Sequence, residues 1–304
     1  MTQVISGISN PSVSTKKFVV VGDLQRTSFL EKIIGRESND NERELIINEI
    51  ANIDPAFMVI VGDLVFDGSS SSHWKEFDEL IKPVTEKNIP IYPVLGNHDY
   101  WGSNSSALEN FSERFIQFKE TYWYEKSFDS LALIFLDSNI DDLTSAEWQN
   151  QKQWFETKLK QLDEDNSIIG IIVFLHHPPY TNSKVTTDEE HVKKTFVQAF
   201  ERSTKTLAMI TGHAHVYERF LKNGKTYIVS GGGGGPRVDL KAGVKSIHRD
   251  LLVDDPDSTA KRPFNFLVVN RSESGIEVKV MGLLKDSSKF FELEEIIIPD
   301  ETIN

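Results

Sequence analysis

Seven apolar runs recur along the chain, and each one ends in polar or glycine-rich residues. The runs are continuous rather than alternating, which is typical of β-strands buried on both faces. Segments with helical periodicity lie between several of them, so the pattern predicts an α/β sandwich. The runs are KFVVVGD (17–23), FMVIVGD (57–63), IPIYPVLGNHD (89–99), SLALIFLDS (130–138), IIGIIVFLHH (168–177), TLAMITGHAH (206–215) and KTYIVSGGGGG (225–235).

Two of the intervening segments, residues 41–53 and 143–162, place their apolar side chains on one stripe of a helix. The second begins with Thr144 and Glu147, the spacing of a capping box at a helix N-terminus. We interpret both stripes as core packing. They consist of Leu45, Ile46, Ile50 and Ile53 in the first segment and of Trp148, Phe155, Leu159 and Leu162 in the second.

The chain of 304 residues shows no internal repeat and no composition break that would divide it. We therefore expect a single domain over residues 16–300, a size that one α/β fold can reach. Residues 1–15, rich in Ser, Thr, Asn and Gly, are expected to form a flexible tail. Residues 237–262 have weak periodicity, which predicts a long loop, and residues 264–298 are expected to form C-terminal strands that begin with a hairpin.

The formal net charge of −13 argues against general binding to nucleic acid or to an anionic membrane, since both need a basic surface. It does not exclude a small anionic substrate, because a bound metal ion can invert the local field. The absence of cysteine excludes disulfides and thiolate metal sites. We see no signal peptide and no apolar run long enough to span a bilayer, so we expect a cytoplasmic protein. No oligomeric state follows from the sequence.

Polar side chains of metal-binding type follow five of the predicted strands. Open α/β sheets bind ligands outside the carboxyl ends of their strands, so these side chains should meet. Imidazole, carboxylate and amide ligands suit Zn, Mn, Fe or Ni more than Ca, and one carboxylate can bridge two ions. A glycine precedes four of the groups, where a Cβ would crowd the approach. The groups are Asp23 with Gln25, Asp63, Asn97 with His98 and Asp99, His176 with His177, and His213 with His215.

Each group alone also has a purely structural interpretation. A Gly-Asp pair after a strand is usually a turn, GNHD could cap a loop, and HHPP could form a surface turn. The alternating histidines of GHAH have no packing rationale. The occurrence of all five groups at strand ends therefore favours a two-metal site that acts on phosphoryl groups.

In this order the groups resemble the signature of the calcineurin-like metallophosphoesterase superfamily. The matching stretches are GDLQ, GDLVFDG, GNHDY, HHPP and GHAHVYER, and they span about residues 17–235. The block GHAHVYER, the glycine run SGGGGGP and the final hairpin are most similar to the purple-acid-phosphatase-like branch. The resemblance implies a four-layer α/β/β/α sandwich with mixed sheets.

The resemblance also implies a role for each ligand position. Asp63 would bridge two divalent or trivalent ions. Because the ligand of this branch lies two residues before the first proline, His176 rather than His177 would bind metal. Asp23, Gln25 and His215 would hold the first ion, and Asn97, His176 and His213 would hold the second.

The nucleophile implied by the resemblance is a metal-bound hydroxide. His98 would donate to the phosphate or protonate the leaving group, and Asp99 would orient His98. Substrate specificity is expected to lie in the loops around the site. The substrate contacts that we expect are Asn97, His98, His177, Arg26 and Tyr217.

Two positions depart from the family pattern. Gln25 replaces the usual histidine of the first motif, and Phe66 replaces the tyrosine whose phenolate colours purple acid phosphatases. We therefore expect a colourless enzyme. The identity of its two metal ions is left open among Fe, Mn, Zn and Ni. Gln25 could ligate through its oxygen, ligate through a water or only form a hydrogen bond, and we favour direct ligation.

The leading hypothesis is a metal-dependent hydrolase of phosphate monoesters or diesters, with a small phosphate ester as substrate. One alternative is also an enzyme, a cyclic-nucleotide phosphodiesterase. The other alternative is a protein without activity, a non-catalytic scaffold with the same fold. The intact His98 and the nearly complete ligand set disfavour the scaffold. A nuclease is disfavoured by the net charge, so we expect neither nucleic acid nor membrane as a partner.

Overall fold

The computed structural model describes residues 17–118, 121–241, 245–252, 261–272 and 275–300, so the predicted tail at 1–15 lies outside the described residues. The described strands form two six-stranded sheets, and each of the seven apolar runs contains one of them. They are β1 (Lys17–Val21), β2 (Met58–Val61), β3 (Ile91–Val94), β4 (Tyr124–Phe128), β5 (Leu131–Phe135), β6 (Gly170–Phe174), β7 (Thr206–Thr211), β8 (Tyr217–Lys222), β9 (Lys225–Ser230), β10 (Phe264–Ser272), β11 (Gly275–Leu283) and β12 (Phe290–Pro299).

Both sheets are mixed. In the first, ordered β12-β11-β10-β1-β2-β3, the strands β1, β2 and β3 are parallel and the remaining pairs are antiparallel. In the second, ordered β4-β5-β6-β7-β9-β8, the four central strands are parallel, and β4 and β8 are antiparallel at the edges. Parallel strands end at the same edge of a sheet, so the polar residues that follow them are brought together.

The helices include the two predicted from apolar periodicity. They are α1 (Phe29–Ile33), α2 (Asp40–Ile53), α3 (Ser71–Leu80), α4 (Lys82–Thr85), α5 (Asn97–Tyr100), α6 (Asn104–Arg114), α7 (Ser145–Glu164), α8 (Glu190–Val192) and α9 (Gln198–Arg202), with a 3₁₀ turn at Ile116–Phe118 and a π-helical turn at Lys193–Val197. Thr144 and Glu147 form the predicted capping box of α7, with bonds of 3.2 and 2.8 Å between side chain and backbone. Such a cap contributes about 1 kcal/mol.

Three apolar cores separate four layers. In β1, Val19 and Val21 pack with residues of α2, α3 and α6, whereas Phe18 and Val20 face the second sheet. The side chains of β6 alternate in the same way between the central core and the core under α7. This arrangement confirms the α/β/β/α sandwich. It also explains the continuous apolar runs, because both faces of the central strands are buried.

The C-terminal region contains the predicted hairpin of β10 and β11, with β10 paired to β1 inside the first sheet and β12 at its edge. The described part of the predicted loop 237–262 contains no α-helix and no strand, apart from a single bridge between Leu240 and Ser183. A single domain over 16–300 stays a prediction. Within the described ranges, no helix is long and apolar enough to cross a membrane.

Candidate metal centre

The predicted ligands follow the parallel strands of both sheets. Asp23 and Asp63 follow β1 and β2 by two residues, and Asn97 follows β3 at the start of α5. His176 and His213 follow β6 and β7 by two residues. The candidate centre therefore lies where the carboxyl ends of the two sheets meet.

The side chains form two groups, and in each group the ligating atoms lie within 4.8 Å of one another. Asp63 connects the groups, because its Oδ1 lies 3.4 Å from Nε2 of His176. Within the group that contains Asp23, Oδ1 of Asp23 lies 3.4 Å from Nε2 of His215. The first group is Asp23, Asp63 and His215, and the second is His176, His177 and His213.

Two imidazoles are held with Nε2 toward the centre. Nδ1 of His176 donates to the carbonyl of Val61 at 2.9 Å, and Nδ1 of His215 donates to the carbonyl of Pro236 at 2.9 Å. A carbonyl oxygen can only accept, so the neutral rings keep their proton on Nδ1 and a lone pair on Nε2. Nε2 of His176 also lies 3.2 Å from Oδ1 of Asn97. Metal-binding histidines are typically fixed in this way through their second nitrogen.

Four ligand positions adopt the left-handed backbone conformation, with φ of 59° at Asp23, 54° at Asp63, 67° at His213 and 47° at His215. Each such residue costs on the order of 1 kcal/mol or more, and strain of this kind concentrates at functional sites. Gly62 precedes Asp63 with φ of 88°, and a Cβ there would lie 2.3 Å from Nδ1 of His176. The strand-end glycine is therefore needed for the close approach that the sequence predicts.

Burial controls the charges of the centre. It lowers the pKa of His213 to about 3 and that of His215 to about 4, so both rings are neutral and able to bind metal at neutral pH. Burial, opposed by His176 and assisted by Asp63, raises the pKa of Asp23 well above its usual range. Burial alone would lower the pKa of His176, but attraction to Asp63 outweighs it and raises the pKa to about 9. The raised pKa values of His176 and Asp23 mean that both groups hold a proton more readily in the metal-free chain, and a bound cation would take the place of those protons, which fits a metal site.

Gln25 lies inside the first group. Its Nε2 donates to Oδ2 of Asp63 at 3.0 Å and lies 2.9 Å from Nε2 of His215, while its Oε1 is buried without a hydrogen-bond partner among the described residues. A half-turn of the amide would exchange the two atoms and present the oxygen to the same neighbours. Both direct ligation and a hydrogen-bonding role are consistent with this position, and direct ligation stays a prediction.

Replacing Gln25 by alanine should weaken metal binding about 10- to 100-fold, the usual cost of losing a group that ligates or orients a ligand. The measurement is titration of apoprotein with Zn or Mn against a competing chelator. Gln153→Ala, the same change at an exposed position of α7, serves as the control. Equal affinities of the Gln25 variant and the control would remove Gln25 from the metal centre.

His98 is held by a backbone carbonyl and an aromatic ring. Its Nδ1 donates to the carbonyl of Phe66 at 2.8 Å, and its ring centroid lies 3.8 Å from that of Trp101. Its backbone N–H donates to Oδ1 of Asp63 at 3.0 Å. The ring is therefore fixed beside the Asp63 carboxylate, and among the described residues its Nε2 has no hydrogen-bond partner.

The structure corrects the predicted role of Asp99. Its carboxylate does not orient His98 but accepts from backbone N–H groups, those of Gly96, Leu64 and Val65, at 2.9 to 3.2 Å. The physical reason is local, because the third residue of a short helix folds back onto the N–H that precedes the helix. Asp99 thus stabilises the loops that carry the ligands.

Two predicted substrate contacts have other partners. Arg26 pairs with Glu76 at 3.0 Å and with Asp40 at 3.5 Å, and it does not line the cavity described below. Tyr217 is completely buried, and its hydroxyl donates to Glu294 at 2.7 Å. Tyr217 therefore supports the packing of β8 and cannot touch a substrate.

His177, in contrast, lies at the centre with the second ligand group. Its Nδ1 is 2.8 Å from Oγ of Ser138, and the same oxygen accepts from the His177 backbone N–H at 3.0 Å. The hydroxyl proton of Ser138 is then available to Nδ1, which leaves Nε2 as a donor. This pairing suits the predicted contact with an anionic substrate.

A cavity of about 150 Å³ opens at the centre. Its lining includes four residues that sequence reasoning missed, because no motif marks them and they lie in irregular segments. Arg36 follows α1, Val185 and Thr186 follow β6, and Val238 follows the glycine run. The cavity is lined by Arg36, Asp63, Asn97, His98, Val185, Thr186, His213, His215 and Val238.

Curated relatives of this chain include phosphatases and a phosphodiesterase. Tartrate-resistant acid phosphatase type 5 of Rattus norvegicus is 26% identical over 247 residues, which cover 72% of this chain and 73% of the relative. A probable cyclic nucleotide phosphodiesterase of Ruthia magnifica subsp. Calyptogena magnifica is 28% identical over 215 residues, which cover 68% of this chain and 81% of the relative.

Among solved structures, purple acid phosphatase PPD1 from yellow lupin (Lupinus luteus) seeds aligns with a TM-score of 0.66 at 16% identity over 93% of this chain. The chain spans about half of that protein, 54% of its length, so the similarity shows the fold. The sequence model of the calcineurin-like phosphoesterase family matches residues 16–217, about two thirds of the chain. The chain belongs to the calcineurin-like phosphoesterase family and is a metal-dependent hydrolase of phosphoric esters.

Proposed function

We propose that the protein binds two metal ions at this centre and hydrolyses small phosphate esters there. The observation that supports the proposal most is the pair of ligand groups joined at Asp63 beside an open cavity. Asp63 would lie between the ions. Asp23, Gln25 and His215 would hold the first, and Asn97, His176 and His213 would hold the second. Bound there, the ions would supply Lewis acidity and a water whose pKa is lowered toward neutrality.

His98 is proposed as the catalytic side chain. Because its Nδ1 donates to Phe66, Nε2 is the ring atom that can reach a substrate in the cavity. Donation from Nε2 to the phosphate or to the leaving oxygen requires the protonated ring. His177, oriented by Ser138, would contribute a second donor to the phosphate.

The test is to load the protein with Mn, Fe, Zn or Ni in turn and to measure bound metal and hydrolysis together. We expect about two ions per chain and turnover of a phosphomonoester or a linear diester. Failure to bind metal would contradict the proposal. Firm binding of two ions without hydrolysis of any ester would favour the non-catalytic scaffold instead.

A cyclic-nucleotide phosphodiesterase is the second candidate. The observation in its favour is the 28% identity to a relative with that probable activity. The same assay with a cyclic nucleotide distinguishes the two candidate functions. Faster hydrolysis of the cyclic diester than of any linear ester would favour the cyclic-nucleotide phosphodiesterase.

A further inference from the structure

Arg36 lines the cavity and is the lining residue with a permanent positive charge. Its side chain is 31% exposed, and Nη1 donates to Oε1 of Glu31 at 2.7 Å. Glu31 is itself fixed, because its other oxygen accepts from the backbone N–H of Ser28 at 2.9 Å. Within the described residues, Nε and Nη2 of Arg36 have no hydrogen-bond partner. The guanidinium is thus anchored on one side and keeps donors for a ligand.

Thr186 lines the same cavity and carries a second unsatisfied polar group. Its Oγ1 is buried without a hydrogen-bond partner in the described part of the chain, while its backbone N–H is engaged with Oγ of Ser183 at 3.2 Å. A buried hydroxyl without a partner is costly. Because Oγ1 is closed off from solvent in this conformation, it would reach a ligand in the cavity after rotation about χ1. Val185 and Val238 line the same part of the cavity, and their side chains contribute only methyl groups.

The cavity is too small for a whole organic substrate. Its volume of about 150 Å³ lies below the roughly 300–1,000 Å³ of pockets that enclose complete ligands. It therefore suits a phosphate group, with the alcohol portion of the ester extending outside. Arg36, and Thr186 after its side chain has turned, would then contact phosphate oxygens rather than the alcohol.

We propose that Arg36 and Thr186 bind a terminal phosphate oxygen and make the protein selective for phosphate monoesters, an inference that rests on the proposed function. A monoester carries more terminal oxygens and more negative charge at neutral pH than a diester. In a diester one of those oxygens bears a second alcohol, which brings no negative charge to Arg36. The planar guanidinium is well suited to phosphate oxygens, and the hydroxyl adds a second donor.

The experiment compares the metal-loaded protein with Arg36→Ala, Arg36→Lys and Thr186→Val. Each is assayed with nitrophenyl phosphate and with its diester, bis-nitrophenyl phosphate, and the Kd of inorganic phosphate is measured by calorimetry. Arg202→Ala, the same change at an exposed position of α9, is the matched control. Thermal melts establish that each variant is folded.

We expect Arg36→Ala to lower kcat/KM for the monoester about 10- to 100-fold and to weaken phosphate binding similarly, the size of one charge-assisted hydrogen bond. The diester should lose less than about threefold. Arg36→Lys should recover part of the loss, and Thr186→Val should show about a 3- to 10-fold loss on the monoester.

Equal losses on both esters, or an unchanged phosphate Kd in Arg36→Ala, would overturn the inference while leaving the proposed hydrolysis intact. If the wild-type protein hydrolyses neither ester but its phosphate affinity still depends on Arg36, the proposed function fails and the phosphate-binding role of Arg36 is supported.

Discussion

Replacing Asp63 by asparagine should lower kcat/KM for phosphate esters on the order of 10³-fold and reduce the bound metal below that of the wild type. The expected size follows from the several kcal/mol that metal-assisted charge stabilisation contributes to such reactions. Asp63 contacts side chains of both ligand groups, so the loss of its negative charge affects both groups at once. Asparagine tolerates the left-handed φ of 54°, so the backbone should be kept.

The measurement combines metal analysis of the purified variant with steady-state kinetics. Asp141→Asn, the same change at an exposed position, is the control and should retain metal and activity. Asp63→Asn with normal metal content and normal kcat would show that the reaction does not depend on a bridging carboxylate.

Replacing His98 by alanine should lower kcat about 10²- to 10⁴-fold and leave the bound metal unchanged. The ring supplies the proposed proton transfer, whose contribution has this size in other enzymes. The backbone N–H that donates to Asp63 is retained in alanine, so the Asp63 carboxylate keeps that bond.

Kinetics and metal analysis of His98→Ala are compared with His191→Ala, an exposed histidine of α8. Loss of metal in the His98 variant together with loss of activity would place His98 among the ligands. Unchanged kcat would remove it from catalysis.

The central strands were predictable because burial on both faces produces continuous apolar runs, as in GIIVF of β6. The edge strands β4 and β8 were not, because partial exposure mixes polar residues into them and hides the pattern. The meeting of the candidate ligand residues at one place was predictable for a related reason. Each lies within a few residues after the end of a buried strand, where the fold leaves little choice of position.

The parts of the site that were not predicted from the sequence depend on the direction of side chains and on the conformation of loops. Spacing places Asp99 next to His98 but does not show that its carboxylate folds back onto the loop N–H groups. Tyr217 follows a ligand closely in sequence, yet strand alternation buries it between the sheets. Arg36 and Thr186 lie in irregular segments, where no periodicity indicates what a side chain faces.

The two sheets contribute chemically different halves of the centre. The first sheet supplies oxygen and amide donors, from Asp23 to Asn97, and the second supplies imidazoles, with Gln25 and His215 separated by 190 positions in the chain. Each proposed ion would therefore take ligands from both sheets, because His215 joins Asp23 in the first set and Asn97 joins the histidines in the second. Bound metal would connect the carboxyl ends of the two sheets across the centre. Its binding free energy would then add to the stability of the folded chain, since an unfolded chain does not hold these ligands together.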